Sequence, residues 1–200
     1  MRRLTLVFAS CLLSACFMSG QRGGTVSMSM YDFGPLPVEQ TVKPGRQMLA
    51  LEVWAPLWFD SQGISYRLIY ADKARLREYT RARWVGPVAQ MIEQRTVRRL
   101  GLSMAGQGGA RCIIRIEISE FSQAFASPES SSGILRGRVA LLDLSRKHLA
   151  ERVVNIEKAA STADARGGVG ALTAAVDQLA DDLLTWDQLA DSKGSIACAN

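Results

Sequence analysis

The sequence predicts an α+β fold, in which two helices pack against an antiparallel sheet in the order β-β-α-β-β-β-α. Several segments alternate between apolar and polar residues, as half-buried strands do. A helical segment near 87–100 interrupts them, and a second one at about 164–190 follows the last of them. The chain has 200 residues, of which 48% are hydrophobic and 22% charged, as is typical of a globular protein with a core of its own.

The N-terminus carries an export signal. Two arginines precede an apolar run at 4–13, and small residues follow it, which is the order of a secretory signal peptide. The run is shorter than the ~20 apolar residues that span a bilayer. It ends in LSAC at 13–16, which resembles the bacterial lipobox. We therefore predict a signal peptide at 1–15 and lipidation of Cys16; a plain signal peptide with an incidental cysteine is the alternative.

A lipid on Cys16 would decide where the protein lies. Each buried methylene contributes ~0.8 kcal/mol, so two or three acyl chains such as palmitate anchor a protein durably. Retention at the inner membrane typically goes with an aspartate after the cysteine, whereas this chain has Phe17. The sequence therefore predicts a protein that is anchored in the outer membrane and faces the periplasm, with a flexible tether at 16–30.

Three segments before the first helix have extended character. YDFGPLP at 31–37 contains two prolines and is typical of an edge strand or an extended segment. QMLALEVW at 47–54 predicts a strand. ISYRLIY at 64–70 alternates, so that its four large residues lie on one face.

The first helix is predicted from Pro87, which suits a first turn, to Gly101, which suits a helix end. Its apolar stripe has the spacing of three and four residues that a helix requires. The stripe consists of Val85, Val88, Ala89, Ile92, Thr96 and Leu100.

Residues 111–161 predict a three-stranded antiparallel meander with short connections. The strands are expected at 111–125, 133–145 and 149–161. In the first of them Cys112, Ile114, Ile116 and Ile118 point inward.

The final helix carries a narrow apolar seam and a glycine-rich start. The seam comprises Val169, Leu172, Val176, Leu179 and Leu183. The sequence GGVG at 167–170 lacks the phosphate-loop pattern, so we interpret it as a flexible helix start. The domain is therefore expected at 31–190, with a frayed tail at 191–200.

Two cysteines remain after cleavage of the signal and acylation of Cys16. Cys112 and Cys198 would then lie in an oxidising compartment, where disulfides persist. Either the two cysteines form a disulfide with each other, or Cys112 is a buried apolar residue and Cys198 is a free thiol in the tail. The sequence leaves both readings open.

The sequence contains few residues that suit catalysis or metal binding. The single histidine, His148, lies at a predicted turn, where a solvated side chain is expected. Neither a histidine pair, nor a CxxC pair, nor a nucleophile motif accompanies it. The sequence therefore predicts a non-enzymatic protein without a catalytic site, a metal site or a cofactor.

A basic stretch runs from 67 to 99, with nine cations against three carboxylates. Such a stretch can bind nucleic acid, but an exported protein meets no genome, so nucleic acid is not expected as a partner. An anionic lipid headgroup or an acidic protein surface is the expected partner. The alternative is a solvated face whose arginines pair with the acidic C-terminal helix.

The stretch 59–100 resembles a known family. Asp60 precedes the strand residues Ile64, Tyr66 and Arg67, and the pair Arg83-Trp84 precedes the helix. In these features the chain resembles the ABC-type transport auxiliary lipoproteins, the PqiC-like lipoproteins of MCE/ABC transport systems. The lipobox and the aromatic start at 31–34 agree with this resemblance.

The resemblance implies an adaptor in the outer membrane. It would dock a periplasmic MCE-domain protein of an ABC transport system that moves lipids or other hydrophobic substrates, and a homo-oligomer is consistent with it. Arg67, Arg83 and Trp84 are the candidate partner-binding residues, because arginine and tryptophan are enriched at binding hot spots. For Trp84 a place in the core is the alternative. A structural envelope lipoprotein without a transporter is the alternative function.

Overall fold

The computed structural model of the chain describes residues 27–36, 49–107 and 109–190, which form eight strands and two helices. The strands are β1 (Ser29–Tyr31), β2 (Leu49–Trp54), β3 (Gly63–Leu68), β4 (Asp72–Trp84), β5 (Ser103–Met104), β6 (Cys112–Ser127), β7 (Ser130–Asp143) and β8 (His148–Ala159). The helices are α1 (Val88–Leu100) and α2 (Ala165–Ala190). The predicted signal peptide, Cys16, Cys198 and the tail at 191–200 lie outside the described residues.

The meander forms the longest part of the sheet. β6, β7 and β8 pair antiparallel with short turns between them, which confirms the sequence prediction. The four residues predicted to point inward from β6, Cys112 to Ile118 in alternation, are all buried. α2 packs across these three strands, and its predicted apolar seam is buried throughout.

The other edge of β6 is divided between two strands. Its first half, Cys112–Glu117, pairs in parallel with β2, and Gln123–Phe125 pair in parallel with β3. The sheet is therefore mixed, and the prediction of a purely antiparallel sheet was wrong. The physical reason is the connection: β4 and α1 carry the chain back before β6 begins, as a parallel pair requires.

The basic stretch contains a strand that the sequence analysis did not predict. β4 pairs antiparallel with β3 and in parallel with the short β1. β1 begins at Ser29, so the last two residues of the predicted tether belong to the sheet through their pairing with β4. The two-residue strand β5 adds to the edge of β2.

α1 begins and ends close to the predicted positions. Pro87 precedes its first residue, and Gly101 closes it with a φ of 65°, a left-handed conformation that glycine adopts readily. The Asp60 carboxylate, from the loop after β2, accepts a hydrogen bond of 3.0 Å from the Ala89 amide. This contact satisfies one of the free amides of the first turn. Val85 lies before the helix and is exposed, unlike the rest of the predicted stripe.

One glycine at the start of α2, Gly168, allows the helix to pack closely on the sheet, which the interpretation of GGVG as a flexible start did not include. A Cβ at Gly168 would lie 2.0 Å from the Gln123 Oε1 atom. Gln123 is fully buried, accepts a hydrogen bond of 2.8 Å from the Tyr79 hydroxyl and donates one of 2.7 Å to the Ser131 hydroxyl. Burial raises the pKa of the Tyr79 hydroxyl, which therefore remains a donor.

Candidate functional site

The two faces of the sheet differ in what covers them. α2 packs against β6, β7 and β8, and α1 packs against β2 and α2. Both helices therefore cover the same face of the sheet. Among the described residues no helix packs on the opposite face, which we call the open face. Because helices cover only one side, surfaces for binding are expected on the open face and at the rim.

Trp84 lies in the core of the helix-covered face. Only 1% of its surface is exposed, and its ring lies 5.4 Å from that of Phe33 and 6.1 Å from that of Phe121. Its side chain is therefore not available to a partner, and the core alternative describes it.

The other two candidates are held in ion pairs. The Arg67 guanidinium donates to both carboxylate oxygens of Glu120, at 3.0 and 3.3 Å, and to the carbonyl of Ala74. Arg83 donates to a Glu78 carboxylate oxygen at 2.9 Å. The structure thus places Arg67 on the open face and Arg83 on β4, and the two do not share a surface with Trp84.

The basic stretch does not form one continuous surface. Arg95 is buried and donates to both oxygens of Asp177, at 2.7 and 2.9 Å, and to the carbonyl of Phe33. Arg99 donates to Asp181 at 2.7 Å. Two of its arginines therefore join α1 to the acidic face of α2, as the alternative reading expected, and the positive charge left for a partner is smaller than the count implies.

Of the other residues singled out in the sequence, the structure describes Cys112 and His148. Cys112 is buried and disulfide-bonded. Cys198 lies outside the described residues, so the pairing of these two cysteines stays a prediction. His148 opens β8 and is exposed, with its Nδ1 atom 3.7 Å from a Glu151 carboxylate oxygen. Among the described residues no cluster of histidine, cysteine and carboxylate could hold a metal ion.

An exposed tryptophan patch lies where β2 leaves the sheet, and the sequence analysis missed it. We define the patch as Trp54, Leu57 and Trp58, whose exposed fractions are 54%, 88% and 68%. The sequence WAPLW at 54–58, with two tryptophans around a proline turn, is the feature that could have indicated this patch. Exposed apolar side chains that occur together, rather than singly, are a mark of interaction sites.

A groove of about 650 Å³ continues the patch across the open face. It lies beside Ile118–Ser119, where β2 no longer pairs with β6 and β3 has not yet begun to. The charges around it are mutually paired: Arg115 with Glu52 at 2.6 Å, and Arg138 with Glu117 at 2.9 Å. The patch and the groove therefore present apolar surface with little unpaired charge.

The Arg115 side chain fixes the position of the first tryptophan. Its guanidinium carbon lies 4.6 Å from the centre of the Trp54 ring, within the range of a cation–π contact. Because Arg115 is also held by Glu52, this end of the patch is preformed.

A second concavity on the open face is lined mainly by polar side chains. It encloses about 500 Å³ between the β3–β4 side and the β7–β8 side. Small residues form its floor and charged residues its walls. We call it the polar cleft; its charged lining residues are Arg67, Lys73, Glu120, Arg136 and Glu157.

A family model for the ABC-type transport auxiliary lipoprotein component matches residues 31–183, which contain nearly all of the sheet and most of α2. The chain belongs to this family. No curated protein matches the chain. In this ABC-type transport auxiliary lipoprotein component, the matched range includes both concavities and the tryptophan patch.

Two solved structures share the fold of this family member. Protein XCC0632 from Xanthomonas campestris, assigned to the DUF330 family, has a TM-score of 0.66 at 20% identity, over 84% of this chain and 99% of its own. A second, uncharacterised protein has a TM-score of 0.60 at 14% identity, over 78% of this chain and 96% of its own. At these identities the likeness establishes the fold alone.

The residues on which the family resemblance rested build the fold. Asp60 caps α1, Ile64 is fully buried, and the Tyr66 ring lies 4.7 Å from that of Tyr79. Arg67 joins β3 to β6, and Trp84 fills the core. Since these side chains are used inside the auxiliary component, its partner contacts are to be sought elsewhere on its surface.

Proposed function

We propose that this auxiliary component is a lipoprotein anchored in the outer membrane through Cys16, and that it works by binding an MCE-domain protein of an ABC transport system. The match of the family model over 31–183 is the observation that carries this proposal. The lipobox at 13–16 supports the anchor. Within this system the protein acts as a non-enzymatic adaptor for the transport of lipids or other hydrophobic molecules.

The tryptophan patch is the docking surface in this proposal. Tryptophan and arginine dominate binding hot spots, and here Trp54 is held by Arg115 beside an apolar groove. The neighbouring charges neutralise one another, so the complementary surface on the MCE-domain protein is expected to be apolar. The earlier candidates are less suited: Trp84 is buried, and Arg67 is engaged by Glu120.

The docking proposal is tested by copurification from native membranes in mild detergent, with mass spectrometry of the retained proteins. Wild type is expected to retain the MCE-domain protein. The double variant L57S/W58A is expected to lose about 2 kcal/mol or more of binding, and with it most of the retained partner. Leu144→Ser is the matched control, because Leu144 is an exposed apolar residue in the turn after β7 and does not line the groove.

Equal retention by the double variant and the control would reject the patch as the docking surface. Retention of outer-membrane assembly factors without any transporter subunit would favour the alternative function, a structural envelope lipoprotein. Circular dichroism of both variants checks that the fold is intact.

The anchor is tested separately. Cys16→Ala removes the acylated thiol, and because buried acyl methylenes contribute ~0.8 kcal/mol each, the variant is expected to leave the membrane fraction. Cys112→Ala is unsuitable as a control because Cys112 is disulfide-bonded; Ser14→Gly keeps a small residue in the lipobox and is expected to stay anchored. Retention of Cys16→Ala in outer membranes would contradict the anchor.

A further inference from the structure

The polar cleft exists because its floor consists of small side chains. Ser122, Ala124 and Ala126 of β6 and Ser132 of β7 lie on the same side of the sheet as the longer residues that flank them. Larger side chains on these strands would fill the space. The resulting volume of about 500 Å³ is within the ~300–1,000 Å³ of small-molecule sites.

One charged pair on the cleft wall is already satisfied. Arg67 and Glu120 bind each other through two hydrogen bonds, and the third guanidinium nitrogen donates to the carbonyl of Ala74. Glu120 also accepts a hydrogen bond from the Ser122 hydroxyl. This pair shapes the wall of the cleft, and the charges of Arg67 and Glu120 neutralise each other.

Three other charges on the walls lack an oppositely charged partner within the described part of the chain. They are Lys73 on the β4 side, Arg136 on β7 and Glu157 on β8. Arg136 uses only its Nε, which donates to the Asn155 amide oxygen at 2.9 Å. Its two terminal nitrogens are therefore free to bind a ligand together with Lys73.

Unpaired cations and an unpaired carboxylate around one cavity favour a ligand that carries both signs. A simple anion would be attracted by Lys73 and Arg136 but repelled by Glu157. A simple amine would be attracted by Glu157 but repelled by the two cations. A phosphate group takes hydrogen bonds from arginine and lysine on several oxygens. An ammonium group suits the Glu157 carboxylate.

We propose that the polar cleft binds a phosphoethanolamine group, with its phosphate at Lys73 and Arg136 and its ammonium at Glu157. The group can be a lipid headgroup or a soluble phosphoethanolamine, since both present the same chemistry. This inference does not depend on the docking of an MCE-domain protein, because the cleft and the tryptophan patch share no residue.

The test is isothermal titration of the full-length protein in detergent with phosphoethanolamine, inorganic phosphate and ethanolamine. Phosphoethanolamine is expected to bind more tightly than either fragment. Arg136→Gln and Glu157→Gln are each expected to weaken it by about tenfold or more, since each removes a hydrogen bond to a charged group. Arg138→Gln is the matched control: it lies two residues along the same strand and lines the groove instead of the cleft.

Titration with short-chain phosphatidylethanolamine separates the two sources. Binding at least as tight as that of the soluble compound identifies a lipid headgroup, and binding of the soluble compound alone identifies a free metabolite. Inorganic phosphate binding as tightly as phosphoethanolamine, with Glu157→Gln without effect, would overturn the proposal in favour of a plain anion site. Absence of binding by every phosphoethanolamine compound would also overturn it.

Discussion

At the scale of the residue, Asp164 shows how one side chain starts the longest helix. Its carboxylate accepts hydrogen bonds from the Gly167 amide and the Thr162 hydroxyl, both at 2.8 Å. These hydrogen bonds, the one from Gly167 first, lower the pKa of the Asp164 carboxyl below its ordinary value of 3.8. A carboxylate at a helix N-terminus is also favoured by the helix dipole.

Replacing Asp164 by alanine is expected to cost about 1 kcal/mol of stability at neutral pH, because a cap is lost. The folded pKa is the lower one, so the stability contributed by the charged form is present above about pH 4 and is lost as the pH falls through the folded pKa. The difference between wild type and D164A in urea denaturation should therefore shrink below pH 4.

Asp164→Asn is the control for this assignment. Asparagine caps helices about as well as aspartate but does not titrate, so D164N should keep most of the stability at neutral pH and should not acquire the acid-dependent loss. A D164A variant as stable as wild type at pH 7 would show that the cap contributes nothing.

At the scale of the element, the contact between α2 and the sheet depends on a glycine, whose lack of a side chain lets the helix come close. A Cβ at Gly133 of β7 would lie 2.7 Å from the backbone atoms of Ala171 and Leu172. Backbone cannot rotate away as a side chain can, so the helix would have to shift. The close approach of helix and strand therefore requires glycine at this position.

Gly133→Ala is accordingly expected to destabilise the fold by about 1–3 kcal/mol, the usual cost of overpacking. Gly170→Ala is the matched opposite: its Cβ would meet nothing within 4 Å on the exposed side of α2. Alanine there should stabilise by up to about 1 kcal/mol through helix propensity. Thermal unfolding of both variants checks the pair; equal shifts of the same sign would contradict this account.

The sequence predicted those elements whose pattern is local. The meander and both helices follow from periods of 2 and 3.6, and their inward residues are buried. β4 was missed because the face that holds Ala82 and Trp84 is interrupted by Glu78 and Thr80, while arginine and lysine fill most of the other face, so no continuous apolar face appears. The parallel pairing of β2 and β3 with β6 was missed because a period contains no information about a distant partner.

The site was predictable to a smaller extent. The resemblance drew attention to Arg83-Trp84, but a tryptophan that follows a buried Ala82 by two positions shares its face and enters the core. The sequence around Trp54 and Trp58 indicates a proline turn, but their exposure depends on where β2 leaves the sheet. The polar cleft brings together residues of five strands, from Arg67 on β3 to Glu157 on β8, so its charges could be assembled only by the fold.

At the scale of the whole molecule, the disulfide of Cys112 connects the sheet with a remote part of the chain. Cys112 lies at the first residue of β6, and α2 runs from the far end of that strand, near Gln123, back along the sheet. Asp182 near the end of α2 contacts Arg152, which lies level with Ile116, so the helix ends toward the part of β6 that holds Cys112. We propose Cys198 as the disulfide partner.

Cys198→Ser is expected to lower the free energy of unfolding by about 4 kcal/mol, because a bridge between these positions would close a loop of more than 80 residues. The variant should also make the protein insensitive to dithiothreitol in thermal unfolding. Wild type whose unfolding does not respond to the reductant, or a C198S variant that still responds, would exclude this pairing.

The division of one edge of β6 between β2 and β3 has a consequence for the order of folding. Leu49 pairs with Cys112, and Tyr66 with Gln123, so the first third of the domain has no complete sheet to join until β6 is available. The meander, by contrast, joins neighbours in the chain and can form by itself. Folding should therefore proceed backwards along the sequence, with closure of the distant parallel pairs as the slow step. Until then the uncovered edges of β2 and β3 are open to pairing with another chain.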